Sequence, residues 1–165
     1  MKSSLIRSGV TTILIIFFTT ACASAQRDYE TGIGLRAGVS YGLTVKHFMS
    51  ERSAWEGILT TRWEGFLLTG LYELHQDVFN TTNFNFFYGV GGHLGSWHGD
   101  VGPHDWFHDG NQHLAIGVDG ILGLEYTFDE VPFSISIDWK PSFNIAEHTV
   151  FLADEAGLSI RYAIK

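Results

Sequence analysis

HLAIGVDGILGLEYTF, residues His113–Phe128, separates by parity. Leu114, Ile116, Val118, Leu122, Leu124, Tyr126 and Phe128 take the even positions, broken only by Gly120. Ala115, Gly117, Asp119, Gly123, Glu125 and Thr127 take the odd ones, broken by Ile121. Successive side chains of a strand point to opposite faces, so the stretch predicts a long strand with one apolar face and one small or charged face. An ordinary strand has about five or six residues, whereas one crossing a bilayer at a tilt needs about 9–11.

The same alternation recurs outward from this stretch. Thr31–Tyr41 sets Ile33, Leu35, Ala37, Val39 and Tyr41 against Gly34, Arg36, Gly38 and Ser40, with a turn expected at Gly42. Leu43–Met49 opposes Leu43 and Val45 to Thr44 and Lys46. After a polar turn, Ala54–Trp63 opposes Trp55, Leu59, Thr61 and Trp63 to Glu56, Thr60 and Arg62. Phe66–Gln76 opposes Phe66, Leu68, Tyr72 and Leu74 to Thr69, Glu73 and His75, with Leu67 and Leu71 breaking the polar face. Asp77–Thr82 connects to Asn83–Trp97, where Phe84, Phe86, Tyr88, Val90 and Leu94 oppose Asn85, Gly89, Gly91, His93 and Gly95. Beyond the opening stretch, Phe133, Ile135, Ile137 and Trp139 oppose Ser134, Ser136, Asp138 and Lys140, and Pro141 marks the expected strand end. His98–Gln112 and Asn144–Glu155 read as long loops. In the last strand Leu158, Ile160, Tyr162 and Ile164 oppose Ser159, Arg161 and Ala163. Eight strands, neighbour-to-neighbour connections and no βαβ spacing predict an all-β, eight-stranded antiparallel up-and-down barrel over residues 26–165.

Residues 1–25 read as a secretory signal peptide: Lys2 and Arg7, the apolar run Ile13–Phe18, then Ala23-Ser24-Ala25 as cleavage site. Cleavage before Gln26 removes Cys22, the single cysteine, and with it disulfide and thiol chemistry. Thr20-Ala21-Cys22 is a weaker rival, a lipoprotein-type signal. Lys+Arg 10 against Asp+Glu 18 gives a net charge of −8, which argues against nucleic acid as a partner.

Alternation alone fits a soluble lipid-binding barrel with its oily face inward or a membrane barrel with that face outward. The polar face decides. It carries Gly, Ser, Thr and Ala, as a narrow interior requires. Its charges balance: Arg36, Lys46, Arg62, Lys140 and Arg161 against Glu56, Glu73, Asp119, Glu125 and Asp138. Buried charges must be paired, so balance suits an interior. Aromatics fall near both rims, Trp55, Tyr72, Phe84, Tyr126, Phe128, Phe133 and Tyr162 at one and Tyr41, Trp63, Phe66 and Trp139 at the other. With both termini in the periplasm, both long loops point outward.

Glu155-Ala156-Gly157-Leu158-Ser159-Ile160-Arg161-Tyr162 resembles the terminal-strand signal of outer-membrane barrels, although the chain continues through Ala163-Ile164-Lys165. With the signal peptide and eight strands, the mature chain resembles the small bacterial outer-membrane β-barrel proteins. The resemblance implies a cell outer membrane location, contact with outer-membrane lipids, insertion by the barrel-assembly machinery, and a monomer.

The loop HGDVGPHDWFHDGNQH, His98–His113, alternates His98, His104, His108 and His113 with Asp100, Asp105 and Asp109. Its spacing matches no closed zinc motif, so the expectation is a polar outer loop through which an extracellular ligand could be contacted. Some barrels of this kind modify lipids with a His and a Ser two apart on one strand face. Here His93 and Ser96, like His47 and Ser50, are three apart and fall on opposite faces, while His148 has no neighbouring Ser. No catalytic, cofactor-binding or metal residue is assigned and no cofactor is expected. Phe87, Ile121, Leu67 and Leu71 on the inner parity would plug a pore. The expected function is therefore a non-enzymatic outer-membrane barrel, structural or a platform for loop contacts, with a lipid-modifying enzyme and a soluble periplasmic lipid-binding barrel as alternatives.

Overall fold

The computed structural model describes residues 29–62, 65–78, 81–98, 112–146 and 150–164. The signal segment 1–25, Trp63 and residues 99–111 of the His/Asp-rich loop lie outside them. In chain order the strands are β1 (Thr31–Gly38), β2 (Tyr41–Phe48), β3 (Ser53–Arg62), β4 (Gly65–Val78), β5 (Thr81–His98), β6 (Gln112–Thr127), β7 (Phe133–Trp139), β8 (Ser142–Asn144), β9 (Val150–Leu152) and β10 (Ala156–Ile164). Every pairing between them is antiparallel.

The ten segments make eight staves. β7 and β8 are one stave, since Leu122↔Trp139 and Asp119↔Ser142 keep a single register along β6. The interruption at Lys140–Pro141 reflects the missing proline N–H. The backbone still bonds across it: Gly120 N–H donates to the Pro141 carbonyl at 2.9 Å, and Lys140 N–H to the Glu155 carbonyl at 2.8 Å. β9 and β10 form the eighth stave with a bulge between them. Ala156 faces Trp139 while Leu152 faces Ser142, so one side advances a residue further than the other. β1 pairs with β2 on one side and β10 on the other, from Thr31↔Ile164 to Gly38↔Gly157, and the ring closes as an up-and-down barrel.

The expected parity holds in every stave, and the polar face is the inner one. Arg36, Lys46, Glu56, Glu73, Asp119, Glu125, Asp138, Lys140 and Arg161 are all buried. The apolar face is exposed, with Leu35 at 66%, Val90 at 68% and Ile137 at 60%. Two apolar layers sit inside. Tyr29, Phe48, Ala54 and Ala163 floor the end that carries both strand termini. Ile58, Leu71, Phe87 and Ile121 cross the middle.

Three sequence expectations shift. The first turn is at Val39–Ser40 and Gly42 lies inside β2, opposite Arg36 and Thr60. A Cβ at Gly42 would sit 1.9 Å from the Leu59 carbonyl, so this glycine permits close strand approach instead of a turn. The segment Asn144–Glu155 is partly strand, because β8 runs to Asn144 and β9 covers Val150–Leu152. Pro141 therefore interrupts a stave without ending it. The interior charges also differ from five against five. Glu155 joins the buried acids, and the Arg62 side chain lies outside the described residues.

Candidate functional site

The charged interior divides into two tiers separated by the middle apolar layer. In the tier at the terminus end, Lys46 of β2 reaches three carboxylates: Glu73 at 2.8 Å, Glu125 at 3.2 Å and Glu56 at 3.3 Å. Arg161 of β10 pairs with Glu125 at 3.1 Å and with Glu56, and it donates to the Ser136 hydroxyl at 2.8 Å and the Thr44 hydroxyl at 3.2 Å. Tyr29 donates to Glu125 at 2.8 Å, and Thr44 to Glu56 at 2.5 Å. His75 Nε2 lies 3.1 Å from Glu73 and its ring stacks on Phe87. The Lys46 ammonium sits 4.1 Å from the centre of the same Phe87 ring, where the ring face favours a cation.

In the far tier, Arg36 of β1 grips Asp138 with two parallel hydrogen bonds of 2.5 and 2.7 Å. The planar guanidinium fork matches a carboxylate in a way an ammonium cannot. Lys140 bridges Asp119 at 3.2 Å and Glu155 at 3.0 Å, and Ser40 donates to Glu155 at 2.9 Å. His93 Nδ1 is 2.8 Å from Asp119. Its ring lies over Gly117, where a Cβ would come within 2.6 Å of the His93 ring carbon Cε1. Burial without partners would be very costly for these groups, and each charge has opposite charges against it.

Of the charges that alternation assigns to the polar face, Asp119, Glu125, Asp138, Arg36, Arg161 and Lys140 are all paired, split between the tiers. Asp138 and Lys140 share a strand, yet Asp138 takes Arg36 while Lys140 turns to Asp119 and Glu155. Glu155 and Tyr29 are inner residues that the alternation pattern does not single out. Glu155 carries a usable signal, since it shares parity with Ser159 and Arg161.

At the far mouth a cavity of about 40 Å³ is bordered by Ser40, Thr60, His93, Ser142, Asn144 and Glu155. That is room for a water or two. A histidine held by an aspartate can serve as a general base when a nucleophile lies within hydrogen-bond reach. Among the described residues, no serine hydrogen-bonds to His93. His47 Nδ1 is 2.9 Å from the Thr31 hydroxyl, while Ser50 bonds Ser53, so His47 and Ser50 do not combine. Of the loop histidines, His98 and His113 belong to the paired ends of β5 and β6, and His104, His108 and His148 lie outside the described residues. Among the described residues no group of three His, Cys, Asp or Glu is arranged to hold a metal ion.

No family model, no curated protein and no solved structure matches the chain.

Proposed function

We propose that the chain is an integral outer-membrane barrel, non-enzymatic and without an open pore, acting as a structural component or a platform for contacts made by its outward connections. The inverted burial carries this reading. Among the described residues, ten buried ionisable carboxylate, ammonium and guanidinium groups line the inside, while Leu35, Val90, Leu94, Ile137 and Phe151 stand exposed on the outside. Water would penalise that outer surface and lipid would not. A soluble lipid-binding barrel requires the opposite arrangement, with its apolar side inward.

Aromatic side chains support the same placement. Trp55, Tyr72, Tyr126, Phe133 and Tyr162 stand on the outer face toward the terminus end, with Trp55–Tyr72 and Phe133–Tyr162 in edge contact. Tyr41, Phe66 and Trp139 do so toward the other end. Amphipathic rings at two levels suit two membrane interfaces. Buried Phe87, Ile58, Leu71 and Ile121 fill the middle of the lumen, which supports the absence of a water channel.

Fractionation of cells expressing the full chain tests the reading. The expected result is recovery with the outer membrane, detergent-dependent extraction, and quenching of tryptophan fluorescence by lipids brominated on their acyl chains. Recovery as a detergent-free periplasmic protein would sink it.

A further inference from the structure

The tier at the terminus end is a closed compartment. Tyr29, Phe48, Ala54 and Ala163 lie below it and Ile58, Leu71, Phe87 and Ile121 above. The groups facing its centre come from every side. They are Tyr29 ahead of β1, Lys46 of β2, Glu56 of β3, Glu73 and His75 of β4, Glu125 of β6 and Arg161 of β10, with Phe87 of β5 as the apolar wall. Among the described residues, three carboxyl groups therefore meet two permanent cations. Fully ionised, the compartment carries one uncompensated negative charge, in a place where an unpaired charge is strongly disfavoured.

The hydrogen bonds show where the deficit falls. Glu56 and Glu73 are inward neighbours on the paired strands β3 and β4, where Ala54 faces Glu73 and Glu56 faces Leu71, and both carboxyl groups converge on Lys46 Nζ, at 3.3 and 2.8 Å. Two ionised carboxylates so placed repel and cannot hydrogen-bond to each other, because an ionised carboxylate only accepts. Glu73 Oε1 has no hydrogen-bond partner, and Glu56 Oε2 has only the Lys46 ammonium at 3.3 Å and no hydrogen bond. Both residues are buried, Glu56 at 1% and Glu73 at 0% exposure. The other Glu73 oxygen, Oε2, already faces two donors, Lys46 Nζ at 2.8 Å and His75 Nε2 at 3.1 Å. The other Glu56 oxygen, Oε1, receives Thr44 and Arg161.

We infer that Glu73 and Glu56 form a proton-binding site: in the folded barrel Glu73 is a neutral carboxylic acid whose Oε1–H donates to Glu56 Oε2. One proton gives Glu73 Oε1 its missing partner, adds a hydrogen bond to Glu56 Oε2 and makes the compartment neutral. Neutral His75 then donates from Nε2 to Glu73 Oε2, and Lys46 keeps its three partners. The compartment is a proton-dependent lock across five of the eight staves. Deprotonation leaves two carboxylates in contact, and the barrel loses stability as pH rises.

Infrared spectroscopy of the full chain folded in detergent micelles tests this at neutral pH, where water-exposed carboxyl groups are ionised. The expected spectrum contains a protonated-carboxyl C=O band that shifts on ¹³C labelling of glutamate and not of aspartate, and that disappears in Glu73→Gln. The amide introduced by that substitution can donate the same hydrogen bond without taking up a proton, so the variant's urea midpoint should match the parent's in the ordinary carboxylate titration range, stay level as pH rises, and stand above the parent's at neutral pH and beyond, where the parent's has fallen. Glu155→Gln, in the far tier, should keep the band. Absence of the band in the parent, or its survival in Glu73→Gln, overturns the inference, as would an imidazolium signal from His75 in ¹⁵N NMR. Should Glu73→Gln fail to fold, the glutamate-specific band of the parent, lost in Glu56→Gln and kept in Glu155→Gln, decides the matter, and a band that survives in Glu56→Gln overturns the inference.

Discussion

Replacing Arg161 with alanine should be the most damaging single change in the interior. Its side chain is fully buried and links two acids and two hydroxyls: Glu56, Glu125 at 3.1 Å, Ser136 at 2.8 Å and Thr44 at 3.2 Å. Truncation leaves Glu56 and Glu125 sharing Lys46 alone, since no other cation contacts either among the described residues. Breaking a buried pair by removing one partner costs about 3–5 kcal/mol. The expected loss is in that range, a drop of roughly 10²–10³ or more in the folding equilibrium constant. Arg52→Ala is the control. Arg52 stands exposed in the β2–β3 turn, where an ion pair contributes about 0–1 kcal/mol. Urea unfolding of both variants in lipid vesicles, followed by tryptophan fluorescence and heat-modifiable migration on gels, gives the comparison. Equal midpoints would refute the paired interior.

Further outcomes follow from the same geometry. Leu122→Arg puts a cation on the outer face and should cost about 2–4 kcal/mol near the midplane of a bilayer, whereas Gly70→Ala, also outward and with nothing within 4 Å of the new Cβ, should fold normally; vesicle folding yields rank them, and the reverse order rejects a lipid-facing exterior. Gly123→Ser, though inward, should also be harmful, because a Cβ there meets the Ile137 carbonyl and the Phe87 ring at 2.5 Å. Tyr29→Phe removes a buried donor from ionised Glu125 and should lower stability by about 1.5–3 kcal/mol in the same urea assay. Deleting Val101–Asn111 should leave heat-modifiable migration intact, since the paired ladder of β5 and β6 ends at His98↔Gln112.

Strand parity is the most legible feature of the sequence. It separates Arg36, Lys46, Glu56, Glu73, Asp119 and Arg161 from their apolar neighbours, and each of these side chains is buried. Parity is local, set by the pleat alone, so it survives any error about neighbours. Partner choice is not local. Arg36 meets Asp138 across 102 positions and Arg161 meets Glu56 across 105, distances at which pattern in the chain carries no pairing information. Pro141 and Gly42 mislead for a related reason. Both residues commonly end strands, but here ladder bonds on either side of Pro141 hold the stave together. The bulge before β10 hides the strand content of Val150–Leu152 by breaking the alternation that runs back from β10 through Glu155.

The closure of β1 on β10 has a consequence for the order of assembly. Those strands lie at opposite ends of the barrel sequence, so the final ladder forms only when the last-made segment has arrived. Arg161 travels on that segment. Until it docks, Glu56 and Glu125 lack one of their two cations, and two strand edges remain open to other chains. Sealing the edges and neutralising the acids are therefore one event. A chain lacking β10 gains neither, so partly built barrels should be unstable templates for aggregation.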